Sequence, residues 1–199
     1  MNASPGTESP GTESTGTESP GTESATAVYR ELARDGFVTL YWHPPVLEGV
    51  VDRLLRAGFA VVRLDASGWR TEDDLHDDVA AALDFPNYYG RNLDALNDCL
   101  RDVMSGEYGV PSGAAGVAFV FTHYDAFVRA CPREAHVVLD ILADHARRAS
   151  VLGGPRTLCL VHSDDPDLAP APVGAQPVQW NPREWLHSVR HPEAGEGRR

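Results

Sequence analysis

The sequence predicts an α/β protein. Short, nearly all-apolar runs such as FAVVRL (59–64) and TLCLV (157–161) alternate with longer stretches of helical apolar period. Runs of that kind are strands buried on both faces, and their alternation with helices places them in a mostly parallel sheet covered by helices. Hydrophobic residues make up 42% of the 199 and are almost absent from the first 24, so they are concentrated enough for one ordinary core.

The chain opens on pentapeptide repeats: SPGTE from Ser4, Ser9 and Ser19, with STGTE from Ser14. Pro, Gly, Ser, Thr and Glu cannot bury enough apolar surface to offset the entropy of ordering, so residues 1–27 read as a disordered low-complexity tail. Residues 28–163 read as the folded domain. Phe37–Trp42 is a strand, ended by Pro44 and Pro45, after which Val46, Val50, Leu54 and Leu55 mark a helix stripe. Gly58 stops that helix, and Phe59–Leu64 is a second, well-buried strand. Thr71 and Asp74 have capping-box spacing and open a helix that buries Leu75, Val79 and Leu83.

Pro86–Gly90 is a turn in which Gly90 is expected to carry the positive φ. Asn92 caps the next helix, whose apolar stripe is Leu93, Leu96, Leu100 and Val103. A Gly-rich loop leads to a third strand, Val117–Phe121, and then to a short helix near Tyr124–Arg129. Pro132 starts a helix that turns Val138, Leu139, Leu142 and Ala146 inward, and Thr157–Val161 is the last strand. Residues 164–199 read as a Pro-rich linker and a short C-terminal helix containing Trp185 and Leu186.

The net charge of −12 is unevenly placed. Residues 71–110 hold ten acidic side chains against Arg91 and Arg101, and the first 24 residues hold four glutamates and no basic residue. Nucleic acid is therefore not an expected ligand, because phosphate binding needs the opposite sign. No apolar run is long enough to span a bilayer and no signal-peptide pattern opens the chain, so a cytoplasmic protein without membrane contact is expected. Cys99, Cys131 and Cys159 are too scattered for a disulfide framework or a zinc site and read as buried small hydrophobes. The eight histidines show no zinc-motif spacing, His187 and His191 lying in a terminal segment. No metal, cofactor or catalytic residue is expected.

The most informative segment is PNYYGRNLDALNDCL, Pro86–Leu100. Asp94 and Asp98 are four apart, on one helix face opposite the leucine stripe. Of Tyr88 and Tyr89, one packs inward and the other stands exposed beside the acidic face. From the residues alone that face reads either as a solvated surface or as a protein interface anchored by an aromatic.

This segment resembles the barstar family of intracellular inhibitors of secreted ribonucleases. The similar stretch runs from about Phe59 to Val161 and is strongest over Trp69–Leu100. The resemblance implies a barstar-like three-layer arrangement, here with an added N-terminal strand and helix. It implies that the turn and following helix plug a ribonuclease active site. The partner-binding residues would be Tyr88, Gly90, Asn92, Asp94, Asn97 and Asp98, with Asp144 from the late helix as a further acidic contact. The partner would be a basic secreted ribonuclease or ribonuclease-like toxin, the free protein a monomer. Asn97 stands where the family usually has a large aromatic, which points to a different cognate enzyme or to a non-nuclease partner.

Overall fold

The inner strands are short and mostly apolar, and the fold covers them by stacking helices on both faces of one sheet. The computed structural model describes residues 23–192. The repeats up to residue 22 lie outside the described residues, as do residues 193–199. The strands β1 (Val38–Tyr41), β2 (Ala60–Asp65), β3 (Gly116–Thr122), β4 (Arg156–His162) and β5 (Gln179–Trp180) form a sheet of order β2-β3-β4-β1-β5, and every pairing is parallel.

Alternate residues of the inner strands enter different cores, as the two-residue period of a strand requires. Val117, Phe119 and Phe121 of β3 and Cys159 and Val161 of β4 face one core. Ala118, Val120, Leu158 and Leu160 face the other. The first core is covered by α3 (Glu72–Ala82), α4 (Leu93–Met104), α5 (Tyr124–Ala130) and α6 (Pro132–Leu152), the second by α1 (Ala25–Leu32) and α2 (Pro44–Arg56). The added N-terminal elements thus build a whole layer.

Several boundaries differ from the sequence reading. Helix α1 begins inside the stretch read as tail: Ser24 caps it, its Oγ accepting from the Ala27 amide at 3.2 Å, and Val28 is fully buried. In α2 the inward stripe is Leu47, Val51 and Leu54, while Leu55 is 52% exposed. Strand β2 is an edge strand, so Arg63 and Asp65 face solvent although the run looks uniformly buried. Cys99 and Cys159 are buried as expected, but Cys131 is only half-buried.

The segment read as a linker packs onto the domain. Beyond β4, β5 pairs with β1 and is followed by α7 (His187–Arg190). Glu184, 1% exposed, accepts from the amides of Trp42 (3.0 Å) and His43 (2.8 Å) and from His43 Nδ1 (2.7 Å). His43 is the N-cap of α2, so this carboxylate sits where the positive helix end favours an anion. Burial alone would raise the Glu184 pKa, but the accepted hydrogen bonds outweigh it and hold the group below its ordinary value. Among the described residues, no helix is long and apolar enough to cross a membrane.

Candidate partner-binding site

The site begins with α3, which supports it without lining it. Thr71 and Asp74 form the capping box: Thr71 Oγ1 accepts from the Asp74 amide at 3.4 Å and Asp74 Oδ2 accepts from the Thr71 amide at 2.8 Å. Helix α3 then anchors the following turn twice. Tyr89 donates its hydroxyl to Nδ1 of the fully buried His76 at 2.5 Å, and His76 Nε2 donates to Glu72 at 3.1 Å. Arg91 pairs with Asp77 and lies 3.7 Å from Asp73.

Arg91 has φ 49°, so the left-handed residue of this turn is Arg91 and not Gly90. Gly90 serves a different purpose. A Cβ there would stand 3.3 Å from both Ala95 Cβ and Asn92 Nδ2, tighter than an ordinary contact. Asn92 Oδ1 caps α4 by accepting from the Ala95 amide at 2.8 Å, while its Nδ2 donates to Gly90 O at 3.1 Å.

Helix α4 is seated by Leu96, Cys99, Leu100 and Val103, all buried. Its other face is open. Tyr88 is 82% exposed, and Asp94 and Asp98 both face solvent. Asp98 pairs with Arg101 one turn along, at 2.9 Å. Both of those side chains are well exposed, so the pair is weak and replaceable. Asp94 lies in the first turn, favoured by the helix dipole, and has no ion-pair partner among the described residues.

Asn97 and Asp144 are differently placed. Asn97 is half-buried, and its side-chain and main-chain oxygens both accept from His145 Nε2, at 3.0 and 3.2 Å. That contact joins α4 to α6. Asp144, next to His145, pairs with Arg148 at 2.6 Å and lies 3.7 Å from Arg147, so its charge is already compensated. Five predicted residues thus lie at the turn and open face: Tyr88, Gly90, Asn92, Asp94 and Asp98. Asn97 lies at the α4–α6 junction.

The sequence reading overlooked Arg91, Arg101 and His145. Arg91 and Arg101 were visible as the basic residues of an acidic segment. His145, 48 positions from Asn97, carried no local signal. Chemically, the arrangement offers carboxylates one helical turn apart on a rigid support, beside an exposed phenol. Among the described residues, two His/Asp groups bring three potential metal-ligating atoms close together, at the sheet end (His123, His162, Asp164) and near α7 (Asp167, His187, His191), and neither includes a residue of this site.

A three-layer α/β protein with an acidic helix entered through a Tyr-Tyr-Gly turn is the class that fold and site define. The chain belongs to the barstar family: the family model described as Barstar (barnase inhibitor) matches residues 59–160, which run from the residue before β2 into β4. A 37-residue stretch is 57% identical to the Bacillus subtilis (strain 168) protein named "Putative ribonuclease inhibitor YrdF"; it spans 19% of this chain and 41% of that protein. A chain from the structure titled "Structure of Drosophila ORC bound to AT-rich DNA and Cdc6" aligns with a TM-score of 0.42 and 16% identity, over 71% of this chain and 48% of that one. A likeness at that level carries no argument here.

Proposed function

We propose that this protein is an inhibitor of a ribonuclease, not an enzyme, and that it acts by seating the Tyr88–Asn92 turn and the open face of α4 in a basic active site. The observation that carries the reading is the combination of a largely exposed tyrosine with Asp94 and Asp98 on a helix whose opposite face is buried. A ribonuclease active site binds a phosphodiester and so presents arginine, lysine and histidine. Carboxylates on a rigid helix can occupy the phosphate positions through charge-assisted hydrogen bonds, bidentate with arginine. The helix then excludes RNA. The acidic surface over 71–110 would speed encounter with a cationic enzyme.

Asn97 supports a cognate enzyme other than barnase, because its side chain is engaged by His145 and offers no large apolar contact. It also keeps a second reading, a barstar-type module that binds a non-nuclease partner. One experiment separates them. Wild-type protein and an Asp94→Ala/Asp98→Ala variant serve as baits for secreted proteins of the source organism, and the retained fractions are assayed for ribonuclease activity with and without added bait. Inhibition by wild type alone supports the proposal. A retained protein without ribonuclease activity supports the second reading.

A further inference from the structure

Resting on the reading of α4 as an inhibitory face, we infer that the cleft between the C-terminal ends of α4 and α6 is a second subsite of that face. It takes an acidic side chain flanked by an apolar one on the partner ribonuclease. The cleft has a volume of about 370 Å³, and its walls include Arg101 and Met104 of α4 and His145, Arg148, Ala149 and Leu152 of α6. Arg101 is the link to the acidic face. It lies seven positions after Asp94 and three after Asp98, so the three side chains form one stripe on the open side of the helix. A partner that covers Asp94 and Asp98 therefore meets a cation at the end of the same stripe.

That cation gives up part of its present pairing in the complex. Asp98 pairs with Arg101 at 2.9 Å in the free protein, and the inhibitory reading directs the Asp98 carboxylate to a cation of the enzyme. Covering Arg101 without a full counter-charge is unfavourable once water is excluded, unless the enzyme supplies a carboxylate of its own. Across the cleft, Arg148 pairs with Asp144 at 2.6 Å and its side chain is well exposed. A carboxylate entering the cleft would meet guanidinium groups from both helices.

The apolar part of the cleft defines the rest of the ligand. Leu152 is 82% exposed and its neighbour Val151 76%, at the end of α6, where Gly153 terminates the helix in the left-handed conformation. With the half-buried Met104 and Ala149, Leu152 gives the cleft apolar walls beside its two arginines. Tyr88 precedes α4 and this cleft adjoins its last turn, so the 12 residues of the helix set two anchors about 18 Å apart. One interface of ordinary size spans that distance. The cognate enzyme is thus specified by a carboxylate next to its basic pocket, which a uniformly cationic ribonuclease does not offer.

The sign of a charge reversal tests this. Calorimetric titrations use the purified ribonuclease retained by wild-type bait, with wild type, Arg101→Glu, Arg148→Glu, Leu152→Ala and Arg30→Glu. Arg30 is exposed on α1, at the opposite face of the sheet, and controls for overall charge. An enzyme that is cationic over the whole footprint binds Arg101→Glu and Arg148→Glu more tightly than wild type. A carboxylate in the cleft weakens both by roughly tenfold or more, and weakens Leu152→Ala severalfold, with Arg30→Glu unchanged. Arg101→Gln, which adds no repulsion with Asp98, should move in the same direction and less far, and a melt of each free variant establishes that it is folded. Exchanging the responsible enzyme carboxylate for lysine should restore affinity to Arg101→Glu. The assignment is overturned if both reversals bind as tightly as wild type or more tightly while Asp94→Ala/Asp98→Ala loses affinity; the reading of α4 then stands. If Asp94→Ala/Asp98→Ala binds as wild type does, or wild type retains no ribonuclease, that reading fails and the subsite with it.

Discussion

One imidazole N–H of His145 spans the gap between α6 and α4, reaching the side-chain oxygen of Asn97 at 3.0 Å and its main-chain oxygen at 3.2 Å. The helix that carries the candidate interface is thus set against the long helix by a titratable group. Desolvation lowers the His145 pKa from its ordinary 6.5, opposed in part by the Asn97 hydrogen bond and by Asp144. The fold therefore favours the neutral ring, whereas the unfolded chain takes up a proton near the ordinary value. Its contribution to stability is complete above 6.5 and declines as pH falls from there through the lower folded value. Melting temperatures between about pH 7.5 and about pH 5.5 should fall for wild type and fall less for His145→Gln. Equal slopes would show that His145 does not set the dependence.

The adjacent tyrosines should separate cleanly into binding and folding. Tyr88 is 82% exposed, so Tyr88→Ala should leave the melt unchanged and weaken the cognate complex. Tyr89 donates to a buried histidine, so Tyr89→Phe should lower stability by about 1–3 kcal/mol by leaving His76 Nδ1 without its donor. Denaturant melts and binding isotherms on both variants check the division.

Glu184 should prove to be the residue that keeps the C-terminal segment on the domain. Its carboxylate accepts two main-chain amides and the His43 ring at 3.0 Å or less. Because its folded pKa is held below the ordinary 4.5, the stability it supplies is present above that value and is lost as pH falls through the folded one. Glu184→Ala should destabilise by about 3–5 kcal/mol, in the range for a broken buried charge network, and should raise amide exchange in β5 before the rest of the sheet.

Where sequence and structure agree, the determinants are local. The Thr71/Asp74 box, the Asn92 cap and the Leu96–Leu100–Val103 stripe each depend on residues within about two helical turns, and pattern reading finds them. The differences come from tertiary partners. Arg91, not Gly90, takes the left-handed conformation, with its guanidinium beside Asp73 and Asp77 of α3, a pairing between elements that no turn rule anticipates. The segment after β4 resembled a linker because Glu184 meets Trp42 and His43 across more than 140 positions. The sequence reading places Val46, Val50 and Leu55 with Leu54 on the inward stripe of α2, whereas packing against the sheet buries Leu47 and Val51 with Leu54 instead.

Leu96 offers a contrast to the polar face of the same helix. It is 1% exposed, and Leu96→Ala should cost roughly 2–5 kcal/mol through the cavity it leaves. Binding measured where the variant remains folded should be affected far less than stability, and a variant that melts like wild type would place Leu96 outside the core.

The most direct measurement of the central claim is a paired melt and binding isotherm for Asp98→Ala with the cognate ribonuclease. In the free protein, Asp98 loses an exposed pair with Arg101 and a repulsion with Asp94, each only a few tenths of a kcal/mol, about 0.2–0.5, so the melt should barely move. In the complex, removing it would leave a partner cation buried and unpaired, weakening binding by about 2–5 kcal/mol, a range to which the barnase–barstar pair itself contributes. An unchanged melt with that loss of affinity is the predicted result. Wild-type affinity in Asp98→Ala, or its unfolding, would contradict the assignment of α4 as the inhibitory face.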